Sequence, residues 1–230
     1  LAARRYLLHQ DAPHTDGAAA SANSENATLD NGLLRLRVDK QTGGIVEIYL
    51  NGLEANLVDT AEGQALNEYL YFIVEDPADV KPVEKVQIQA GESGPLVASL
   101  LIKSEAPGCH MLACEIRLVA GQDVVEIINM VDKERLVARR YHDKRGKESL
   151  NFGFPFAVPD GQVRLEVPFG VILPGTDQIP SACKNWFTVS RWADVSNDQF
   201  GVTWVTLDAP LVQVGGLTAN LLNSQTNPEV

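Results

Sequence analysis

Strict alternation of large apolar residues with small or polar ones in the segment 150–158 constrains the fold more than any other feature. Side chains at every second position lie on one face of a β-strand, so a strand with one apolar face is predicted here. Turn residues at 159–161 and a renewed alternation at 163–167 predict that this strand continues into a hairpin. The apolar positions of the first strand are Leu150, Phe152, Phe154, Phe156 and Val158.

The same kind of pattern recurs along most of the chain. No stretch sustains the i, i+3, i+4, i+7 apolar spacing of an amphipathic helix, and only a helical turn or two is expected, around 59–66. Turn-forming residues stand at most junctions between the alternating segments. The sequence therefore predicts an all-β fold, a large antiparallel two-sheet sandwich with little helix. The predicted strands are 33–38, 45–50, 68–75, 83–89, 96–103, 110–119, 123–132, 187–191 and 200–206.

The charge and the cysteines exclude several classes of partner. The formal net charge is −11 in 230 residues, and nucleic acid is not expected because phosphate binding needs a basic face. No apolar run is long enough for a membrane span, so no membrane partner is expected either. Cys109, Cys114 and Cys183 form no C-x-x-C pair, and they are predicted to be partly buried thiols rather than a disulfide framework or a zinc knuckle.

The beginning of the chain differs in composition from the rest. Residues 11–28 are rich in Ala, Ser, Asn and Gly, which is typical of a linker. Residues 1–28 are therefore predicted to be a linker and the end of a preceding region, and residues 29–230 a single β-sandwich domain. The chain begins with Leu1 rather than Met, so we expect it to be a piece of a longer protein. Residues 220–230 are polar.

Five segments, taken in order, resemble the C-terminal β-domain of family 38 glycoside hydrolases, the α-mannosidase type. A hairpin turn in that family carries a T-G-G-I element, seen here at 42–45, and a later strand carries a pattern seen here at 117–133. Each motif alone is weak, but their order and spacing are specific, and the resemblance covers residues 28–214. The segments are LDNGLLRLRVDKQTGGIVEIYLNG, GQALNEYLYF, CEIRLVAGQDVVEIINMVDK, ESLNFGFPF and SRWADVSNDQFGVTWVTLDAPL.

The resemblance implies a sandwich of the galactose-mutarotase-like type, with two extensively curved antiparallel sheets. Family members cleave α-mannosides with retention, using a zinc ion and an aspartate nucleophile on an α/β-barrel domain, with a further zinc histidine from the helical segment that follows it. None of those motifs stands in these 230 residues. The resemblance therefore implies that zinc and catalysis belong to a part of the parent protein outside this chain. The β-region of the family continues with further strands where residues 220–230 are polar here, so the sandwich is expected to be truncated at its C-terminal end.

The residues themselves also give little support for catalysis within the chain. No two of the four histidines stand at i, i+2 or i, i+4, so no zinc or other cofactor is predicted here. A retaining glycosidase needs two carboxyl groups about 5 Å apart, and thirty acidic residues offer many such pairs by chance. Asp194, Asp198 and Asp208 stand near strand ends, where capping of turns is the commoner use of aspartate. No catalytic residue is predicted.

Trp186, Arg191 and Trp192 form the first group predicted to contact a carbohydrate. Tryptophan faces stack on the CH groups of sugar rings, and arginine binds hydroxyl groups. A purely structural interpretation stays open, in which one tryptophan lies in the core and Arg191 forms a bidentate pair with Asp194 or Asp198.

Tyr141 and His142 form the second such group, within the basic segment 133–147. Loops on a rigid sandwich often carry function. The segment is also consistent with a solvated linker or with an interface to the catalytic barrel domain.

The resemblance therefore implies the non-catalytic C-terminal β-domain of a glycoside hydrolase of the α-mannosidase type, which would support the catalytic barrel of the same chain. Its carbohydrate partner would be a mannoside, bound through the parent protein. The alternatives are an independent carbohydrate-binding or interaction module and, less favoured, a mutarotase-like sugar epimerase, whose Asn-His-x-Tyr-Phe segment is missing here. Exposed sheet edges and faces lead us to expect weak self-association.

Overall fold

The computed structural model describes residues 19–73, 81–135, 148–184, 186–215 and 218–222, which form β-strands and no helix. The all-β class predicted from the sequence is therefore confirmed. Residues 59–66 form turns instead of the expected helical turn, and the described residues contain no helix that could span a membrane. The strands are β1 (Ser21–Asn23), β2 (Thr28–Asp30), β3 (Leu34–Val38), β4 (Ile45–Leu50), β5 (Glu68–Ile73), β6 (Glu84–Ser93), β7 (Val97–Glu105), β8 (Cys109–Val119), β9 (Val125–Lys133), β10 (Glu148–Gly153), β11 (Gln162–Val167), β12 (Gly170–Ile172), β13 (Trp186–Thr188), β14 (Trp192–Ser196), β15 (Gly201–Val205), β16 (Leu211–Gln213) and β17 (Thr218–Leu222).

These strands form four antiparallel sheets around one core. The N-terminal sheet has the order β1-β2-β3-β4, and the meander sheet has the order β6-β7-β8-β9. The five-stranded sheet has the order β13-β16-β17-β10-β5, and the C-terminal sheet has the order β12-β11-β14-β15. Buried side chains from all four sheets belong to one hydrophobic cluster. The described residues therefore share a single core.

The meander sheet shows how sequence alternation builds that core. Leu100 on β7 pairs with Ile116 on β8, and both side chains are fully buried. Burying a side chain of this size contributes about 1.5–3 kcal/mol. Met111, Ile128 and Met130 fall on the other face of the same sheet and are exposed. The alternation therefore assigns one face of the meander sheet to the core and the other to the surface.

Two adjacent glycines shape the β3–β4 turn, which contains the T-G-G-I element. Gly43 has a φ of +75°, a left-handed conformation that glycine adopts without a steric penalty. At Gly44 a Cβ atom would lie only 2.6 Å from the Cβ of Ala65. The side chain of Asp39 caps the turn by accepting a 2.8 Å hydrogen bond from the backbone N–H of Thr42. The two glycines thus serve backbone conformation and close packing respectively.

Asn31 joins the N-terminal sheet to the meander sheet. Its side chain is fully buried, and Nδ2 donates to the carbonyl oxygens of Val119 at 2.6 Å and Gln122 at 2.8 Å. Oδ1 accepts from the backbone N–H groups of Leu33 at 3.0 Å and Leu34 at 2.6 Å. All four hydrogen-bonding positions of the amide are therefore used, which is what a buried polar side chain requires.

The hairpin predicted after residue 158 is wrong. β10 ends at Gly153 and pairs with β5 and β17, whereas β11 pairs with β12 and β14. The turn at 159–161 therefore carries the chain from the five-stranded sheet to the C-terminal sheet. Alternation determines which face of a strand is buried, but it does not determine which strand pairs with it. Pro155 also lacks the N–H group that a continuing ladder would need.

The linker predicted for residues 1–28 is wrong for residues 19–28. β1 lies in that segment and pairs with β2, with Ser21 opposite Asp30. The side chain of Ala27 is fully buried, so this part belongs to the folded domain. Residues 1–18 and 223–230 lie outside the described residues, and the truncation expected at the C-terminal end stays a prediction.

Candidate functional site

The outer face of the C-terminal sheet carries two of the residues predicted to contact sugar. Leu165 on β11 pairs with Ala193 on β14, and both are fully buried. Because successive side chains in a strand point to opposite faces, Glu166 and Trp192 lie on the outer face. Trp192 pairs with Val205 of β15 and is half-buried. An aromatic ring and a carboxylate therefore share this face.

Arg191 pairs with Glu166, and the predicted pairing with Asp194 or Asp198 is wrong. Nε of Arg191 lies 3.0 Å from Oε1 and 2.9 Å from Oε2 of Glu166, and Nη2 also donates to Oε1. This hydrogen bonding lowers the pKa of Glu166 and raises that of Arg191. The Arg191 side chain is 76% exposed. The pair therefore fixes a guanidinium group at the protein surface.

A polar network occupies the next row of the same face. Asp194 accepts hydrogen bonds from Ser196 Oγ at 2.7 Å and from Thr203 Oγ1 at 2.9 Å. Arg164 lies 3.8 Å from the same carboxylate and donates to Ser196 Oγ at 2.8 Å. Asp194 is thus a strand residue within a network rather than the turn cap inferred from the sequence.

Beside this network, one end of the sheet carries several exposed or half-buried apolar side chains, some on β12, β14 and β15 and some in the segments that follow β11 and β15. β11 and β15 end, and β12 and β14 begin, at this end of the sheet. The exposed fractions are 110% for Phe169, 89% for Leu207, 58% for Val205 and 52% for Val171. We call this set the exposed apolar patch; its members are Phe169, Val171, Trp192, Val205 and Leu207.

Phe169 has an unfavourable backbone conformation as well as an exposed side chain. It follows Pro168 in the two-residue loop between the paired residues Val167 and Gly170, and its φ is +74°. A turn with proline first and positive φ second is of type II and prefers glycine at the second position. For an L-residue with a side chain the left-handed conformation costs about 1–2 kcal/mol.

The other predicted contact residues lie elsewhere. Trp186 is half-buried on β13, at the edge of the five-stranded sheet, opposite Gln213. It therefore belongs to a different sheet from Trp192. Tyr141 and His142 lie outside the described residues. Sugar contact by any of these residues stays a prediction.

A small cavity, partly open to solvent and lined by both polar and apolar side chains, lies between the five-stranded sheet, the meander sheet and the β3–β4 turn. Its volume is about 20 Å³, enough for a single water molecule. Asn67 and Asn129 line it and exchange amide hydrogen bonds, with Nδ2 of Asn67 3.0 Å from Oδ1 of Asn129 and Nδ2 of Asn129 2.7 Å from Oδ1 of Asn67. Asn67 is 5% exposed. The cavity is therefore too small for a sugar, and we interpret the pair as structural.

Two buried thiols lie near this pair. Asn67 Nδ2 lies 3.4 Å from Cys114 Sγ, and burial raises the pKa of the Cys114 thiol to about 12. The Tyr69 hydroxyl donates to the carbonyl oxygen of Pro107 at 2.6 Å and lies 3.2 Å from Cys109 Sγ. All three cysteines are thiols, and only Cys183 is exposed. Sequence analysis missed the asparagine pair because its members stand 62 residues apart.

No group of three His, Cys, Asp or Glu side chains that could hold a metal ion occurs in the described part of the chain. The zinc ion that the family resemblance implies therefore has no fitting ligand set among these residues, and no chemical step is assigned to it here.

The fold and the surface geometry define an antiparallel β-sandwich domain. A known structure similar to it is the crystal structure of an alpha-mannosidase from Enterococcus faecalis V583, with a TM-score of 0.65 and 9% sequence identity. The match covers 89% of this chain and 26% of that chain, so the chain spans about a quarter of that protein. A comparison with curated protein sequences gives no match.

Residues 29–210 match the family model of the glycosyl hydrolases family 38 C-terminal domain. Because this match covers most of the 230 residues, the chain belongs to that family. The resemblance inferred from the five sequence segments is confirmed.

Proposed function

We propose that this chain is the non-catalytic C-terminal domain of an α-mannosidase-type glycoside hydrolase and that it supports the catalytic domain of the same protein. The observation that carries the proposal is the family match over residues 29–210. The parent protein would bind the mannoside in its catalytic domain, where the zinc ion would also lie.

The site geometry agrees with a supporting role. Glu166 is held by Arg191, and Asp194 is held by Ser196 and Thr203. Carboxylates engaged in this way stabilise the sheet, whereas a general acid needs a raised pKa. The pKa of Glu166 is instead lowered.

Hydrolysis of an aryl α-mannoside tests the proposal. The 230-residue chain should show no turnover, and the parent protein should be active. Turnover by the chain alone that persists through purification and is abolished in an Asp194→Asn or Glu166→Gln variant would overturn the non-catalytic assignment. An inactive parent protein tested on a panel of α-mannosides would overturn the α-mannosidase assignment.

One observation favours a second function, that of an independent carbohydrate-binding module. Trp192 and the exposed guanidinium of Arg191 lie together on an open sheet, an arrangement that suits stacking and hydroxyl recognition. Titrating the chain with mannose or mannobiose while following tryptophan fluorescence tests this function. A saturable change in fluorescence that is lost in Trp192→Phe would support this function.

Sedimentation of the same samples would measure the proposed weak self-association.

A further inference from the structure

We propose that the exposed apolar patch is the surface through which this domain docks onto another domain of its own parent chain. The inference rests on the proposed function, because it takes the domain to be joined to a catalytic domain. Sugar binding and pairing with a second copy are the competing occupants, and the test below separates them.

The composition of the patch is typical of the centre of a protein interface. Aromatic residues and arginine are enriched in such centres, and here Phe169 and Trp192 lie at the same end of the sheet as Arg191. The Arg191–Glu166 pair satisfies its charges internally, so a docking partner need not supply a counter-charge. The polar network of Asp194 and Arg164 borders the patch, as a hydrated rim would.

Phe169 gives the most direct argument. Its side chain is completely exposed while its backbone has a positive φ. Substituting glycine or asparagine would remove both unfavourable features without touching the core. An arrangement that is unfavourable in the isolated domain is explained if a partner covers the phenylalanine.

The size of the patch favours a tethered partner over a separate molecule. Its five side chains offer on the order of 500 Å² of accessible surface, by the area that large side chains bury. A stable complex between separate proteins buries about 800 Å² on each partner. Domains joined in one chain need less, because the linker holds them at a high effective concentration.

Charge and chain length favour the same occupant. Two copies of this chain, each with a net charge of −11, would repel each other at long range, so any self-association is expected to be weak. The matched α-mannosidase is about four times longer than the segment that corresponds to this chain, since the match covers 26% of it. The family model is that of a C-terminal domain, which places other domains of the parent chain within reach.

Hydrogen exchange measured on the parent protein and on the 230-residue chain tests the proposal. Amides at 167, 169–171 and 204–207 should exchange at least tenfold more slowly in the parent. Phe169→Asn and Leu207→Ser, introduced into the parent, should return these amides to the rates of the isolated chain. Leu96→Asn is the matched control, since Leu96 is also an exposed apolar residue in a turn, and it should leave the rates unchanged.

Each other outcome overturns the docking proposal. Equal exchange rates in parent and isolated chain would mean that nothing covers the patch. Protection of the isolated chain that grows with its concentration would assign the patch to a second copy, and protection by mannose would assign it to sugar.

The melting temperature of the isolated Phe169→Asn chain provides a separate check. Asparagine tolerates positive φ, so this temperature should be unchanged or higher; a decrease would show that Phe169 stabilises the domain itself. The mannoside assay stands apart: an active parent with an unprotected patch would refute the docking surface alone, and an inactive parent with a protected patch would refute only the catalytic assignment.

Discussion

Replacing Asn67 tests whether the buried asparagine pair stabilises the junction between the sheets. Asn67 has a φ of +60°, so an Asn67→Ala variant loses both the amide hydrogen bonds and a residue type that tolerates the left-handed conformation. Asn67→Gly loses the same hydrogen bonds but keeps the conformation accessible. The difference between the two variants therefore isolates the backbone contribution.

The expected magnitudes follow from the contacts. Two amide hydrogen bonds join Asn67 to Asn129, and each contributes about 1 kcal/mol. Asn67→Gly should therefore lower the free energy of unfolding by about 2 kcal/mol. Asn67→Ala should lower it by about 3 kcal/mol, because the left-handed conformation adds roughly 1 kcal/mol. In a domain of this size the alanine variant should melt about 6–12 °C lower.

A double variant of Asn67 and Asn129 tests whether the two residues stabilise the domain through the hydrogen bonds that they make with each other. Asn129→Ala alone should cost about 2 kcal/mol, since it leaves the amide of the buried Asn67 without its two hydrogen bonds to Asn129. Asn67→Gly with Asn129→Ala should cost little more than either change alone. A double-mutant cycle measured by urea unfolding gives the coupling, expected to be on the order of 2 kcal/mol.

Asp160 provides the control. It is exposed and also has a positive φ, of +54°, so Asp160→Ala should show only the backbone cost. If Asn67→Ala and Asn67→Gly are equally destabilising, the backbone argument is refuted. If the costs of the two single substitutions simply add in the double variant, the asparagines do not act as a pair.

Three further predictions concern the turn, the thiols and the surface ion pair. Gly44→Ala should destabilise the domain by about 1–3 kcal/mol through overpacking, whereas Gly52→Ala, where a Cβ meets nothing within 4 Å, should show only the cost of positive φ; thermal melts compare them. A thiol reagent should modify only Cys183 in the native chain and all three cysteines after unfolding, counted by mass spectrometry. Arg191→Gln should reduce stability near pH 7, and this difference should vanish as pH falls: the lowered pKa of Glu166 contributes stability above its ordinary carboxyl range that is lost on protonation. A pH-independent difference in melting temperature would exclude the ion pair as its cause.

Sequence alternation predicted the strands of the domain better than their partners. β4 has the predicted bounds, and β6 to β9 overlap the strands predicted at 83–89, 96–103, 110–119 and 123–132. Neighbouring strands joined by short turns tend to pair with each other because the entropic cost of closing a short loop is small. Where the chain crosses between sheets, as at 159–161, the local pattern is the same and the partner differs. Pro155 marks where the ladder of β10 stops, but no local feature identifies β12 and β14 as the partners of β11.

The sequence predicted the type of side chain that pairs with Arg191, but not which residue supplies it. A bidentate partner for Arg191 was expected, yet the carboxylate comes from Glu166, 25 residues away, and not from an aspartate near it in sequence. The asparagine pair likewise depends on the position of Asn67, just before β5, next to Asn129 on β9. Contacts of this kind follow from the tertiary arrangement of strands, which alternation alone does not determine.

Phe169 differs from these cases, because its sequence already conflicts with local rules. In V-P-F-G the residue after proline occupies the turn position that favours glycine, and the glycine stands one residue later. Natural sequences depart from such rules chiefly at functional or strained positions. In the described part of the chain the phenylalanine ring is fully exposed, so burial of the ring does not compensate for this conflict. Phe169 is unfavourable at its turn position, and its side chain is not buried. Such a residue therefore indicates that another domain covers it, even where no interface has been observed.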